Sequence, residues 1–376
     1  MVQKRLDVIV RDLDRMAEYL GGPANSESEA WGPFKRGLAA TAACRWDEAR
    51  GHFAAARSSG ERTQLAPVLN QLGVCLYMQG RLGEALKELR ESARLAVQGE
   101  DKQIRASALN NIGVIRHDYG ELNLALNDLR EALTLARESG DLALEALCLG
   151  NIGNVLRERG EHNAALKSQE DALAIARRVG DKPGVASGQG NIGSILRDKG
   201  EPDKALEQYA KALETARKIG YKLGEAIDLG NVGCLYRDKG ELDRALKSHQ
   251  PALALAHEIG YRLGVAAELG NIGLILASKR MPERAVPYLA ESLAFFSAAG
   301  AANGPRQALY GLSRCDDALG RERMQELLKN AGATDEGIAD TLDRIDQIRS
   351  QRPYQTGRNR NPFAPPMAPS LGQAGA

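Results

Sequence analysis

Arginine recurs at one fixed interval through the centre of this chain: Arg157, Arg197 and Arg237 stand forty residues apart. An asparagine series, Asn111, Asn151, Asn191, Asn231 and Asn271, keeps the same beat. A guanidinium presents planar paired donors that suit carboxylates, and a carboxamide both donates and accepts. A periodic row of the two is chemistry for holding a polar chain rather than for breaking a bond. The residue types of catalysis are scattered by comparison. His52, His117, His162, His249 and His257 lack metal-ligand spacing, no Gly-x-Ser-x-Gly elbow occurs, and adjacent acids such as Asp316 and Asp317 diverge on a helix. The string GQGNIG at residues 188–193 fits the dinucleotide-binding pattern, but it sits where neighbouring units carry a similar helical phrase and follows no strand. With no acid, base, nucleophile or metal set converging, the expectation is a non-enzyme with no catalytic residue, no metal and no cofactor.

Composition narrows the partners. Among 376 residues, 50 basic side chains face 49 acidic ones, and the net charge of +1 gives no global field to recruit nucleic acid or an anionic membrane. The five cysteines are odd in number, widely spaced and in no Cys-x-x-Cys arrangement, so they read as small core residues in a reducing compartment. Charges from Lys4 to Arg15 interrupt any signal-peptide stretch, and no segment approaches the ~18 apolar residues of a membrane span. A soluble, cytoplasmic protein is expected.

The elements that carry these residues follow from the repeat itself. Gly73, Gly113, Gly153, Gly193, Gly233 and Gly273 mark a forty-residue unit, and a period of this size means stacked like units rather than one globular core. Within a unit, Leu149, Ile152, Gly153 and Leu156 keep helical spacing; Gly160 interrupts it, and Ala165, Leu166, Ala172 and Ile175 resume it. Each unit is therefore two helices. Gly160, Gly200 and Gly240 are placed to end the first helix in a left-handed conformation, and Gly140, Gly180, Gly220 and Gly260 to end the second. No stretch alternates with period two, so the fold is all-α. The expected organisation is an amphipathic capping helix over 1–27, seven to eight units over 30–320, closing helices over 321–350, and a disordered, basic, proline-rich tail over 351–376.

The Leu-Gly slot at Ile152-Gly153 and Val232-Gly233, followed by Ala165 and Ala172 or Ala205 and Ala212, resembles the tetratricopeptide repeat. The forty-residue length and the Gly-Asn-Ile-Gly phrase are similar to the longer repeats of Pins-type adaptors and related bacterial regulators. The resemblance implies a right-handed α-solenoid acting as an interaction scaffold, whose concave groove docks extended or helical peptides. Helical steps of about 100° set Gly150, Asn154, Arg157 and Glu158 on one flank of the first helix, with Ser194 and Arg197, then Cys234 and Arg237, continuing it. By resemblance that flank faces the groove. The candidate binding residues are Asn110, Asn111, Asn151, Asn154, Arg157, Asn191, Ser194, Arg197, Asn231, Arg237 and Asn271, and the expected partner is a protein or peptide with acidic residues. Two readings of the arginines stay open, ligand contact or pairing with an Asp or Glu of the stack, and the flanking glycines are expected to let a ligand backbone approach. The alternative function is a ligand-sensing module that changes shape around a small peptide or metabolite.

Overall fold

A computed structural model describes residues 31–43, 45–59, 65–300 and 303–350; the capping helix expected over 1–27 and the tail expected over 351–376 lie outside the described residues. Helices follow one another without a strand among the described residues. They fall into eight consecutive pairs: α1 (Trp31–Ala42) with α2 (Trp46–Ser59), α3 (Leu65–Met78) with α4 (Leu82–Gln98), α5 (Lys102–Asp118) with α6 (Leu122–Glu138), and α7 (Leu142–Glu158) with α8 (His162–Arg178). Then come α9 (Lys182–Asp198) with α10 (Pro202–Lys218), α11 (Lys222–Asp238) with α12 (Leu242–Glu258), α13 (Arg262–Ser278) with α14 (Pro282–Ala299), and α15 (Asn303–Leu319) with α16 (Arg321–Asn330). A last helix, α17 (Asp335–Ser350), packs on α15 and α16.

Local physics sets the boundaries. Gly160, Gly200 and Gly240 adopt φ of +78° to +80°, and Gly140, Gly180, Gly220 and Gly260 adopt +63° to +69°, the left-handed region that stops a helix without a Cβ clash. Arg280 and Glu100 occupy the same corner at φ of 59° and 56° although neither is glycine. The first helices of the third to fifth units start on Asp101, Asp141 and Asp181, whose carboxylates accept backbone N–H groups of the opening turn. Tyr221 and Tyr261 replace that cap in the next two units.

Alanines at fixed positions, among them Ala85, Ala125, Ala165, Ala205, Ala245 and Ala285, are fully buried and let the paired helices approach closely. First helices of adjacent units also pack on one another from α3 to α13, which puts them on the inner side of the curve. The solenoid turns far enough to meet itself. Trp46 of the first unit donates its indole N–H to the carbonyl of Ile259 at 2.7 Å, and its ring shares a buried cluster with Tyr221, Leu223, Ile259 and Leu263. The tyrosines at the cap positions belong to this seam, trading a side-chain cap for buried apolar contact.

Candidate functional site

The repeat glycine is a seat for the second helix. A methyl group at Gly73, Gly113, Gly153, Gly193, Gly233 or Gly273 would lie 2.6–2.8 Å from Leu89, Leu129, Gln169, Tyr209, His249 or Leu289 respectively. The column over the glycines thus changes from leucine to amide, phenol and imidazole through three central units, then returns to leucine.

Each polar member of the column reaches the inner flank. Gln169 donates to the Gly150 carbonyl at 2.7 Å and to Asn154 Oδ1 at 3.1 Å. Tyr209 donates to Ser194 Oγ at 3.0 Å, and Ser194 donates to the Gly190 carbonyl at 3.2 Å; burial pushes the phenol up to about 12. His249, fully buried, has Nδ1 2.6 Å from Glu268 Oε2, while its Nε2 lies against Gly233, next to Cys234. Burial alone would suppress the imidazolium, but hydrogen bonding and charge from Cys234 and Glu268 outweigh it and raise the group to about 9. Burial likewise opposes the Cys234 thiolate, yet Arg237, His249 and Arg197 bring that thiol down to about 7. His249 of α12 and Glu268 of α13 thus form a buried pair at the Gly233 seat of α11.

The asparagines stitch the inner wall. Asn111 donates to Asn70 Oδ1 and Asn151 to Asn110 Oδ1, both at 2.8 Å, and Asn191 donates to Gln169 Oε1 at 3.3 Å. Asn231 hydrogen-bonds Asp228. Asn110, Asn111 and Asn151 are buried, whereas Asn191, Asn231 and Asn271 are partly exposed. Of the flanking glycines expected to admit a ligand backbone, Gly150 is partly exposed with nothing nearer than 3.7 Å to an added methyl, whereas the other two are filled. Gly190 is covered by the Asp228 carboxylate and Gly230 by that of Glu268, each from the following unit, and neither leaves room for a Cβ. Burial holds the Asp228 carboxyl well above the usual range.

The arginines meet acids of the stack. Arg157 bonds Asp198 of the next unit at 2.7 Å; Arg197 lies 3.2 Å from Asp198 and 3.8 Å from Asp238; Arg237 lies 3.4 Å from Asp238 and donates to Asn271 Oδ1 at 3.0 Å. Internal pairing, one of the two readings of this ladder, describes their geometry. Their side chains stay 27%, 20% and 16% exposed.

Where α5 and α7 end, a cavity of about 270 Å³ opens toward α13, α14 and α15; His117, Glu158, Tyr261, Asn271, Phe296 and Gln307 contribute to its lining. His117 Nε2 is 2.5 Å from Glu158 Oε2, an ion pair between adjacent units. Among the described residues no three His, Cys, Asp or Glu side chains are arranged to hold a metal ion, and no helix is long and apolar enough to cross a membrane. Asn154, Ser194 and the three arginines were legible in the sequence from helical phase. Gln169, Tyr209, His249, Asp228 and Glu268 were missed, although the column sixteen residues after each repeat glycine carries the signal for the first three.

Comparison with known proteins places the fold. A tetratricopeptide-repeat model matches residues 64–138, 104–178, 144–218 and 184–258, which together span just over half of the chain. No curated protein matches the sequence. Among solved structures, a Rap protein complexed with Competence and Sporulation Factor is 15% identical, with a TM-score of 0.61 over 92% of this chain and 91% of that one. The Rap conjugation gene regulator of plasmid pLS20, in complex with the Phr* peptide, is 18% identical, with a TM-score of 0.56 over 80% of each chain. At these identities the likeness is one of fold.

Proposed function

This chain belongs to the tetratricopeptide-repeat family, and from that premise we propose a non-enzymatic interaction module that holds an extended or helical peptide segment with acidic residues on its inner wall. The polar row left exposed on the first helices carries this reading. Arg157, Arg197 and Arg237 keep 27%, 20% and 16% of their side chains exposed, and Asn191, Asn231 and Asn271 are partly exposed on the same helices, whereas Gln169, Tyr209 and His249 lie fully buried over the repeat glycines. A row of donors and acceptors repeated at one-unit intervals suits a ligand whose backbone and carboxylates need polar partners. That two Rap proteins of the same fold are complexes with Competence and Sporulation Factor and with the Phr* peptide supports a peptide as the ligand class.

In this reading ligand carboxylates compete with Asp198 and Asp238 for Arg157, Arg197 and Arg237, so binding exchanges one ion pair for another instead of desolvating a bare charge. The partly exposed Asn191, Asn231 and Asn271 then meet ligand amides, and the buried Asn110, Asn111 and Asn151 hold the wall in register. An array of acidic peptides about ten residues long, with basic counterparts as controls, tests it on the full chain. Replacing the three arginines with glutamine is expected to weaken acidic-peptide binding at least ~30-fold, about 2 kcal/mol, with the helical circular dichroism unchanged. Undiminished binding by a folded variant would reject the inner-wall assignment.

A second reading, a sensor that changes shape on binding, is favoured by the seam between Trp46 and Ile259 and by the inner cavity at α5, α7 and α13–α15. A ligand in that cavity touches units on both sides of the turn. X-ray scattering separates the two readings: a sensor compacts with ligand, and a passive scaffold keeps its dimensions.

A further inference from the structure

The cavity that opens where α5 and α7 end has walls of two kinds. On one side the last turns of α5 and α7 contribute His117, Asp118 and Glu158; on the other, Tyr261 and Leu263 at the start of α13 and Phe296 of α14 offer ring and aliphatic surface. These walls come from units far apart in the chain. They meet beside the cavity, where the ring of Tyr119 lies 3.3 Å from the point that a methyl group on Gly300 would occupy.

The polar wall is acidic in either state of its imidazole. His117 stands between two carboxylates, with Nε2 2.5 Å from Glu158 and Nδ1 3.8 Å from Asp118, so the three groups together carry a net negative charge whether or not the ring is protonated. Arg157, next to Glu158 in the chain, is engaged with Asp198 at 2.7 Å. The described residues that line the cavity include no lysine or arginine. An anionic ligand would meet repulsion here, and a neutral apolar one would strip water from the carboxylates without replacing it. Nor are the three groups arranged to hold a metal ion. An ammonium group on an apolar stem satisfies both walls at once. A carboxylate offers about four lone-pair sites, so Glu158 and Asp118 can accept ammonium hydrogens while His117 keeps its place, and aromatic rings suit both the stem and the charge.

Size narrows the class further. Ligand cavities run upward from about 300 Å³, and at about 270 Å³ this one suits a molecule of amino-acid size, not a peptide. We propose that the cavity is a binding site for a small primary amine with an aromatic or branched aliphatic stem, its ammonium held by Glu158 and Asp118 and its stem packed on Tyr261, Leu263 and Phe296. Bound there, the amine ties α5 and α7 to α13 and α14 and so fastens the turn of the solenoid. The inference rests on the second reading above, a ligand inside the turn, and gives that ligand its chemistry; the peptide of the inner wall is a separate matter.

The test is calorimetric titration of the full chain with probes of one shape and different charge: phenethylamine, phenethyl alcohol and phenylacetate. The amine is expected to bind at least about tenfold tighter than the alcohol, the worth of one charge-assisted hydrogen bond, and phenylacetate more weakly than either. Glu158→Gln is expected to weaken the amine about tenfold or more. Because that change also removes a partner of His117, Ala267→Leu serves as a second variant; it fills the cavity from α13 without altering a carboxylate, and should abolish amine binding with the helical circular dichroism unchanged. No measurable binding of the amine, equal affinity for amine and alcohol, or undiminished amine binding by either folded variant overturns the proposal. X-ray scattering on the same samples keeps the two levels apart. An amine that binds without compacting the chain leaves the site standing and rejects the sensor reading, whereas a chain that compacts only with a ligand of another class keeps that reading and rejects the amine.

Discussion

At the scale of single residues, the repeat glycines exist for what stands opposite them. A glycine inside a helix costs roughly 1 kcal/mol against alanine, and six units accept that cost because the second helix comes too close for a Cβ. The consequence is measurable at Gly193, where a methyl group would lie 2.8 Å from the Tyr209 ring and 3.2 Å from the Ala205 carbonyl. Gly193→Ala is expected to destabilise the protein by about 1–3 kcal/mol in urea unfolding, because overpacking exceeds the propensity gain. Gly51 is the internal control: it is exposed in α2 with nothing within 4 Å of the added methyl. Gly51→Ala should stabilise by up to ~1 kcal/mol. Equal effects at the two positions would show that the packing account of the repeat glycine is wrong. His249 belongs to this scale as well, since a column occupied by leucine elsewhere becomes polar by substitution of one side chain over the same glycine and there pairs with Glu268.

At the scale of the element, helix ends obey local rules until a neighbour overrides them. Glycine with positive φ closes the helices from Gly120 to Gly260, but Glu100 and Arg280 hold the same conformation with a Cβ present. A left-handed L-residue costs roughly 1–2 kcal/mol, partly offset by the entropy that glycine gives the unfolded chain. Arg280→Gly and Glu100→Gly are each expected to raise stability by about 0.5 kcal/mol, read as a higher urea midpoint at constant slope; a lowered midpoint would mean that these side chains repay their strain elsewhere. The start of the first helices shows the opposite trade. Asp101, Asp141 and Asp181 cap α5, α7 and α9, whereas Tyr221 and Tyr261 leave α11 and α13 without a side-chain cap. A lost cap costs about 1 kcal/mol, and burial of the Tyr221 ring in the seam, with the Tyr261 ring partly buried against it, works against that cost.

At the scale of the whole molecule, the seam makes the stack more than a sum of neighbours, because Trp46 bonds a carbonyl 213 residues away. Trp46→Ala removes that bond and the buried ring, so scattering should report a larger radius of gyration with helical content nearly unchanged. Trp46→Phe keeps most of the apolar contact, leaves the Ile259 carbonyl unpaired, and should cost roughly 1–3 kcal/mol. An unaltered radius in Trp46→Ala would show that the turn closes without this contact. Much of this architecture is written in the sequence. The forty-residue beat, the paired helices and the glycines between them follow from residues near one another along the chain, where helical periodicity and the sterics of positive φ act with no knowledge of the rest. Helical phase also placed Arg157, Arg197 and Arg237 on one flank. What the arginines touch, which acids cover Gly190 and Gly230, and the pairing of His249 with Glu268 depend instead on the rotation of each unit against the next. That rotation is set by side-chain packing between helices, and its small angle accumulates over many units until Trp46 reaches Ile259, so only the tertiary structure fixes these contacts.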